Sequence, residues 1–152
     1  MRTLLKTALA VTTTAAVGGL ATDPKTTWYA RLDKPSWQPP PPAYPIVWTP
    51  LYGLIAYAGA RALDRAPEAV RPALARSYGL NLALNAAWTP LFFAARSPRA
   101  ALAEIALLNL SNLELTRRAW RADRRAGALL LPYLSWTVFA TALNAAIVRR
   151  NR

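Results

Sequence analysis

The chain has 152 residues, of which 54% are hydrophobic, and its 19 lysines and arginines outnumber 7 acidic residues to leave a net charge of +12. It contains no cysteine and no histidine, which excludes disulfides, zinc sites built on those residues, cysteine nucleophiles and histidine acid–base catalysis. We therefore expect no metal, no cofactor and no catalytic residue. A charge this basic fits either nucleic acid or a membrane surface.

The positions of the arginines along the chain distinguish between nucleic acid and a membrane surface as the partner. Arginines cluster at 61–76, 96–99, 117–125 and 149–152, and apolar stretches of about spanning length lie between the clusters. A hydrocarbon core of ~30 Å takes ~20 helical residues per crossing. The pattern predicts an all-α membrane protein, a single domain over 1–152 with five transmembrane helices, and no nucleic-acid partner.

The first predicted span, 4–21, is rich in alanine, threonine and glycine, is preceded by Arg2 and is interrupted by Lys6. A basic start before a short apolar stretch, with small residues near 20–22, is also typical of a secretory signal peptide. The pattern alone leaves both interpretations open.

A proline-rich segment, 22–45, follows the first span and also contains Trp28, Tyr29, Trp37 and Tyr44. Consecutive prolines disfavour a helix and favour an extended path. Aromatic residues beside a membrane are typical of the interfacial belt. A loop of this length predicts a lid.

The remaining predicted spans are 46–62, 74–95, 100–116 and 126–148. Pro50 and Pro132 fall near the predicted starts, where the first turn of a helix tolerates a missing N–H. A soluble helical bundle is the alternative, but exposed faces of soluble helices usually carry mixed charge, and the second, third and fifth spans have essentially no acids. In the fourth span, Glu104 is costly in hydrocarbon and should face protein or water.

The third span has two unlike faces at ~100° per residue. One stripe combines amides and aromatic rings, namely Asn81, Asn85, Trp88 and Phe92. The opposite stripe is small, namely Gly79, Ala83 and Ala87, a spacing that lets helices approach closely in lipid. The small stripe predicts either a homodimer interface or internal packing, and the amides either bind a ligand or bond to other helices.

Two other spans carry similar stripes. The second has Trp48, Tyr52, Ile55 and Gly59, and the fifth has Tyr133, Trp136, Ala140 and Asn144. A single tryptophan stripe is more often core than binding site. Three such stripes below an aromatic loop predict, if they converge, a cavity lined by aromatic rings.

Four segments, in order and with fitting spacing, resemble the translocator protein family, also called the TspO or peripheral benzodiazepine receptor family. They are WYARLDKPSWQPP at 28–40, VWTPLY at 47–52, ALNAAWTPLFF at 83–93 and PYLSWTVFATALN at 132–144. The resemblance extends from about Gly18 to the C-terminus. It is specific because the four motifs occur together.

The resemblance implies a five-helix membrane bundle that retains its first helix, commonly as a homodimer, and here in a bacterial cell membrane. It also implies a cavity that binds porphyrins and related planar apolar molecules. Family ligand contacts correspond to Tyr29, Trp48, Asn85, Trp88, Phe92, Trp136, Phe139, Ala140 and Leu143. We add two residues to these predicted ligand contacts, Trp37 from the aromatic loop and Tyr52 from the stripe of the second span.

Two positions depart from the family pattern. The run 145–149 has no tyrosine, although the family often has an aromatic and basic run here that is tied to cholesterol recognition, and this argues against sterol binding. Position 100 is alanine, where animal members place a tryptophan, so we expect a differently shaped cavity mouth.

These patterns predict a tetrapyrrole-binding membrane protein that acts in sensing, scavenging or transport. Tryptophan and tyrosine faces suit the porphyrin ring, and asparagine, lysine or arginine suit its carboxylate arms. The alternative, which the family resemblance implies, is an enzyme that degrades porphyrin. Because nothing in the sequence supplies acid–base or metal catalysis, such chemistry would have to be photo-oxidative and carried by the pigment and by Trp48 or Trp136.

Overall fold

The computed structural model describes residues Met1–Arg152 and is helical without strands. Its helices are α1 (Arg2–Ala21), α2 (Thr27–Arg31), α3 (Ala43–Arg65), α4 (Arg71–Thr89), α5 (Pro98–Ala122) and α6 (Arg124–Arg150), and a π-helical turn, Pro90–Ala94, continues α4. The prediction of an all-α chain is confirmed. By length and composition, α1 and α6 are apolar enough to cross a membrane.

Each of the five long helices begins two or three residues before its predicted span, and the predicted loop 22–45 is partly helical. The loop contains α2, whose first turn is capped by Thr26, and α3 begins at Ala43 inside it. The proline-rich run ends in a helix because the first N–H groups of a helix lack intrahelical acceptors, so prolines there cost little. Pro50 and Pro132 lie inside α3 and α6 rather than in their first turns.

The π-helical turn follows from Pro90, which cannot donate a backbone hydrogen bond. The wider turn closes where the Ala95 N–H donates to the Pro90 carbonyl at 2.9 Å. Such single turns interrupt α-helices mostly at functional sites. Here the turn carries the buried ring of Phe92 and its neighbour Phe93.

Close contacts between helices depend on two buried glycines. A Cβ at Gly59 would overlap the ring of Tyr78, so α3 and α4 touch at this point. A Cβ at Gly127 would lie 2.7 Å from the Cα of Trp120, where α5 turns into α6. Both helix pairs therefore approach as closely as a side chain of one hydrogen atom allows.

The helix α1 is attached to the bundle by only a few side chains. Thr7, Val11 and Thr14 are its buried residues, and the Thr7 hydroxyl donates to the Ala56 carbonyl of α3 at 2.9 Å. Many large apolar side chains point away from the bundle, among them Leu5, Leu9, Leu20, Ile46, Leu107 and Leu110. An apolar exterior of this kind suits a lipid environment.

Candidate functional site

One cavity of about 580 Å³ lies beneath the 22–45 segment, between α1 and the other long helices. Nine aromatic side chains line it, namely Tyr29, Tyr44, Trp48, Tyr52, Trp88, Phe92, Phe93, Trp136 and Phe139. Its polar lining consists of amides and hydroxyls, and none of the lining side chains is charged. The cavity can therefore take up a large, flat, apolar molecule with a few hydrogen-bonding groups.

The structure brings the predicted ligand-binding residues together around this cavity, with one exception. Tyr29, Trp48, Tyr52, Asn85, Trp88, Phe92, Trp136, Phe139, Ala140 and Leu143 line it. Trp37 does not: it is 49% exposed and its ring meets the outer side of Phe139 edge-on, with centroids 5.8 Å apart. The structure therefore places Trp37 outside the cavity lining, because the loop turns its indole outward.

The aromatic rings form two walls. On one side Trp48 stacks on Tyr52 with centroids 5.1 Å apart, and Trp136 stands perpendicular to Trp48 at 6.5 Å. On the other side Trp88 stacks on Phe92 at 5.0 Å. Edge-to-face and offset pairs of this kind hold rings in defined orientations. The rings of each wall therefore support one another through their own contacts.

The lid, defined as residues 22–45, is stabilised by polar contacts among its own residues and by one ion pair with α6. The Gln38 amide nitrogen donates to the Tyr29 hydroxyl at 2.9 Å, and the Lys34 ammonium lies 4.4 Å from the centre of the Tyr29 ring. The Lys34 ammonium also donates to the Tyr29 carbonyl at 2.6 Å. Asp33 pairs with Arg150 at 3.5 Å, which ties the lid to the end of α6.

A chain of buried hydrogen bonds leads away from the cavity. The Asn85 amide nitrogen donates to the Tyr133 hydroxyl at 2.8 Å, and this hydroxyl donates to the Asn81 carbonyl oxygen at 3.0 Å. Asn81 then donates to Asn112 at 2.6 Å, and Asn112 donates to Thr137 at 2.8 Å. Asn81 and Asn85 thus bond to other helices, and of these two only Asn85 also lines the cavity.

A second polar contact orients a cavity wall. The Trp88 indole N–H donates to the Asn144 side-chain oxygen at 3.0 Å, and the Asn144 amide nitrogen donates to the Pro98 carbonyl at 2.9 Å. These bonds join α4, α6 and the start of α5. They hold the Trp88 ring with its face along the cavity.

Several lining residues were missing from the predicted site, namely Gln38, Tyr44, Phe93, Thr137 and Asn144. Asn144 could have been found, because it continues the stripe that includes Trp136 and Ala140. Tyr44 lies in the proline-rich segment, where the sequence pattern does not indicate which side chains face the cavity. No signal in the sequence distinguishes it from Trp37, which the loop turns away.

The two carboxylates of the fourth predicted span, Glu104 and Glu114, lie in different environments. Glu104 is 7% exposed and both of its carboxylate oxygens lack a hydrogen-bond partner, so it faces protein as expected. Glu114 accepts from Arg118 at 2.6 Å toward the C-terminal end of α5. Neither carboxylate lines the cavity.

The small residues of α4 lie on the outside of the bundle. Gly79 and Ala83 are exposed and Ala87 is half-buried, and a Cβ at Gly79 would meet nothing within 4 Å. Internal packing within one chain therefore does not explain this stripe. The face is open to a partner.

The chain is similar in sequence to known proteins over most of its length. A model of the TspO/MBR family matches residues 7–150. The chain is 38% identical to the tryptophan-rich sensory protein of Cereibacter sphaeroides over 82% of this chain and 77% of that protein. It is 36% identical to the translocator protein of Homo sapiens, over 82% and 75%, and 34% identical to protein CrtK of Rhodobacter capsulatus, over 82% and 78%.

Proposed function

The chain belongs to the TspO/MBR family of membrane proteins, and we propose that it binds porphyrins in the aromatic cavity and acts in sensing, scavenging or transport. The observation that carries the proposal is the cavity of about 580 Å³ with nine aromatic rings and no charged lining side chain. A porphyrin is a wide, flat, apolar ring, and ring faces and edges of tryptophan and tyrosine suit it.

The uncharged lining also bears on the carboxylate arms of a porphyrin. A carboxylate buried without a cation or several donors is costly, so the arms do not belong deep in the cavity. We expect them at the lid, which carries Lys25, Arg31 and Lys34. The expectation that lysine or arginine receives the arms therefore applies to the rim and not to the interior.

The membrane arrangement that we propose has five crossings, by α1, α3, α4, α5 and α6. Their apolar outward side chains would face lipid, and the amides of Asn81, Asn85 and Asn112 are hydrogen-bonded within the bundle, as hydrocarbon requires. We propose a bacterial cell membrane as the location. The exposed small face of α4 would join two copies into a homodimer.

Photo-oxidative breakdown of the bound pigment is the second candidate function. Its supporting observation is that Trp48 and Trp136 meet at right angles in the cavity wall, 6.5 Å apart, where a light-excited pigment would reach both. If pigment loss requires light and stops in a Trp48→Phe/Trp136→Phe double variant that still binds pigment, degradation is the function. Loss that is equal in both proteins assigns the chemistry to the pigment alone.

The binding proposal is tested by titrating the purified protein with metal-free protoporphyrin and with haem. The chain has no histidine or cysteine, and its single methionine, Met1, does not line the cavity, so the cavity lacks the usual iron ligands other than tyrosine. We expect metal-free porphyrin to bind at least as well as haem, within about tenfold, or ~1.4 kcal/mol. Much tighter haem binding, abolished by one Tyr→Phe change, would contradict the proposal.

A pair of tryptophan variants locates the binding. Trp136→Ala removes a ring from the cavity wall and should weaken both porphyrins by about tenfold or more. Trp37→Ala removes a ring that lies outside the cavity and should have a much smaller effect. Equal losses in the two variants would show that the pigment does not occupy this cavity.

A further inference from the structure

A second groove, of about 300 Å³, lies on the outside of the bundle between α4 and α5. We call it the arginine groove, and its lining residues are Ala73, Arg76, Ser77 and Leu80 of α4 and Glu114 and Arg118 of α5. None of these residues lines the aromatic cavity. The arginine groove is therefore separate from the site described above, and unlike the cavity it has charged side chains in its lining.

The two guanidinium groups of the groove have hydrogen-bond donors to spare. Arg76 is exposed and takes part in none of the three ion pairs of the chain. Arg118 donates only its Nε hydrogen to Glu114, at 2.6 Å, so its two terminal nitrogens form no hydrogen bond within the protein. Because two guanidinium groups face one carboxylate, a positive charge remains. Planar guanidinium donors match the geometry of phosphate oxygens.

Both arginines lie near the same end of the bundle. Arg76 is about one and a half turns from the start of α4, and Arg118 is about one turn from the end of α5. An ion pair between Arg61 and Asp123 joins the end of α3 to the α5–α6 turn and so places these helix ends together. In a helix that crosses a bilayer, this depth corresponds to the border between headgroups and hydrocarbon, which long arginine side chains can reach.

The surfaces that continue the groove toward the middle of the helices are apolar. On α5, Leu110 and Leu107 precede Glu114 at helical spacing and are 63% and 56% exposed. On α4, Leu80 follows Arg76 by one turn and is 59% exposed. The stripe on each helix thus changes from charged to apolar with distance from the helix end. A phospholipid has the same order, with a charged phosphate above two acyl chains.

We propose that the arginine groove binds one anionic phospholipid, whose phosphate lies between Arg76 and Arg118. Its acyl chains lie along Leu80 of α4 and along Leu107 and Leu110 of α5. Basic pockets between membrane helices are suited to such headgroups. A zwitterionic lipid is disfavoured because its headgroup brings a cation of its own to the two guanidinium groups. The proposal goes beyond porphyrin binding and does not depend on what the cavity holds.

The groove borders the small stripe of α4 but does not coincide with it. Ser77 lies on the side of α4 that turns toward Asn81, and Asn81 bonds to Ser111 and Asn112 of α5. The small stripe, which includes Ala83, lies further from α5. A lipid in the groove and a second copy of the chain on the small stripe can therefore be present together.

The test compares phosphatidylglycerol with phosphatidylcholine of the same acyl chains, added to the detergent-solubilised protein and counted as bound lipid per chain by native mass spectrometry. We expect wild-type protein to bind phosphatidylglycerol about tenfold more tightly. Arg76→Gln should lower this affinity about three- to tenfold and leave phosphatidylcholine binding unchanged. The matched control is Arg125→Gln, which removes the same charge at an exposed position of the same end and should keep the wild-type affinity.

A second variant removes a lipid-binding donor without changing the net charge. Glu114→Gln combined with Arg118→Gln deletes the ion pair, so a general attraction between a basic protein and an acidic lipid would stay the same. The groove predicts a loss of phosphatidylglycerol affinity of about threefold or more, because the terminal nitrogens of Arg118 are gone. Its control, Glu68→Gln combined with Arg125→Gln, makes the same neutral change at exposed positions outside the groove and should have no effect.

Inorganic phosphate, added in the same excess, distinguishes a lipid from a free anion. It should not displace phosphatidylglycerol, because it cannot contact the leucines below the arginines. Displacement by phosphate would overturn the proposal in favour of a free-anion site. Equal binding of the two lipids to the wild type would also overturn it. So would a phosphatidylglycerol affinity that Arg76→Gln leaves unchanged or that Arg125→Gln lowers to the same extent.

Discussion

Asp123 is the residue whose contacts most clearly join separate parts of the chain. Its carboxylate accepts from the Arg61 guanidinium at 2.7 and 3.0 Å and from the Ala126 N–H at 2.9 Å. It thus caps α6 and connects the α5–α6 turn to the end of α3. Both donors favour the ionised form, and they lower the pKa of Asp123 from 3.8 to about 2.

This lowered pKa predicts how stability depends on pH. Because the folded pKa lies below the unfolded one, the contribution of Asp123 is complete above its ordinary value of about 3.8 and is lost as the pH falls through about 2. Thermal unfolding in detergent should show this acid-side loss in the wild type. In Asp123→Asn, which keeps a capping side chain, the loss between pH 4 and 2 should be smaller.

The control for this prediction is Asp23→Asn, at an exposed loop position. Its acid-side loss should match that of the wild type. If Asp123→Asn and Asp23→Asn follow the same pH curve, the pair with Arg61 does not contribute to stability.

Among the helices, α4 has two unlike faces. Asn81 and Asn85 are buried on the inner face, whereas Gly79 and Ala83 are exposed on the outer face. Substitutions on the outer face therefore leave the side chains that line the cavity in place. This separation makes the dimer prediction testable without loss of ligand binding.

Large side chains on the outer face should separate two helices that small ones allow to touch. We expect Ala83→Leu combined with Ala87→Leu to shift the protein toward monomer, measured by cross-linking in membranes, with little change in porphyrin affinity. Ala128→Leu with Ala142→Leu makes the same change at exposed positions of α6 and should leave the dimer intact. Unchanged cross-linking in the α4 variant would refute this interface.

At the scale of the whole molecule, side-chain contacts define two ends of the bundle. Thr3 bonds to Asp64 and Arg61 to Asp123, which places the N-terminus, the α3–α4 turn and the α5–α6 turn together. Asp33 bonds to Asn151 and Arg150, which places the lid beside the C-terminus. The first end carries the denser arginine clusters, 61–76 and 117–125.

The positive-inside rule therefore predicts a cytoplasmic N-terminus and a lid on the outer side. Because the chain has no cysteine, a single Ser36→Cys should be labelled by an impermeant thiol reagent in intact cells. A cysteine at Glu68, in the α3–α4 turn, should be labelled only after permeabilisation. The opposite pattern would reverse the topology.

The local interactions of the sequence determine the helices and the faces that they present. Apolar runs between arginine clusters predict the five long helices, and the 100° spacing groups Trp48 with Tyr52 and Asn85 with Trp88 without knowledge of any other element. Helix ends were less predictable. Ala43 begins α3 inside the proline-rich segment because prolines are tolerated in a first turn, so composition alone does not mark the boundary.

Only the tertiary structure decided which stripes share a cavity and which polar atoms face it. Trp37 and Tyr44 look alike in sequence, yet the path of the lid turns one ring outward and the other inward. Asn85 of α4 bonds to Tyr133 of α6, and Asn81 of α4 bonds to Asn112 of α5, so the polar contacts beside the cavity join three helices. The sequence determines each helix because its bonds are local, whereas these contacts join residues distant along the chain.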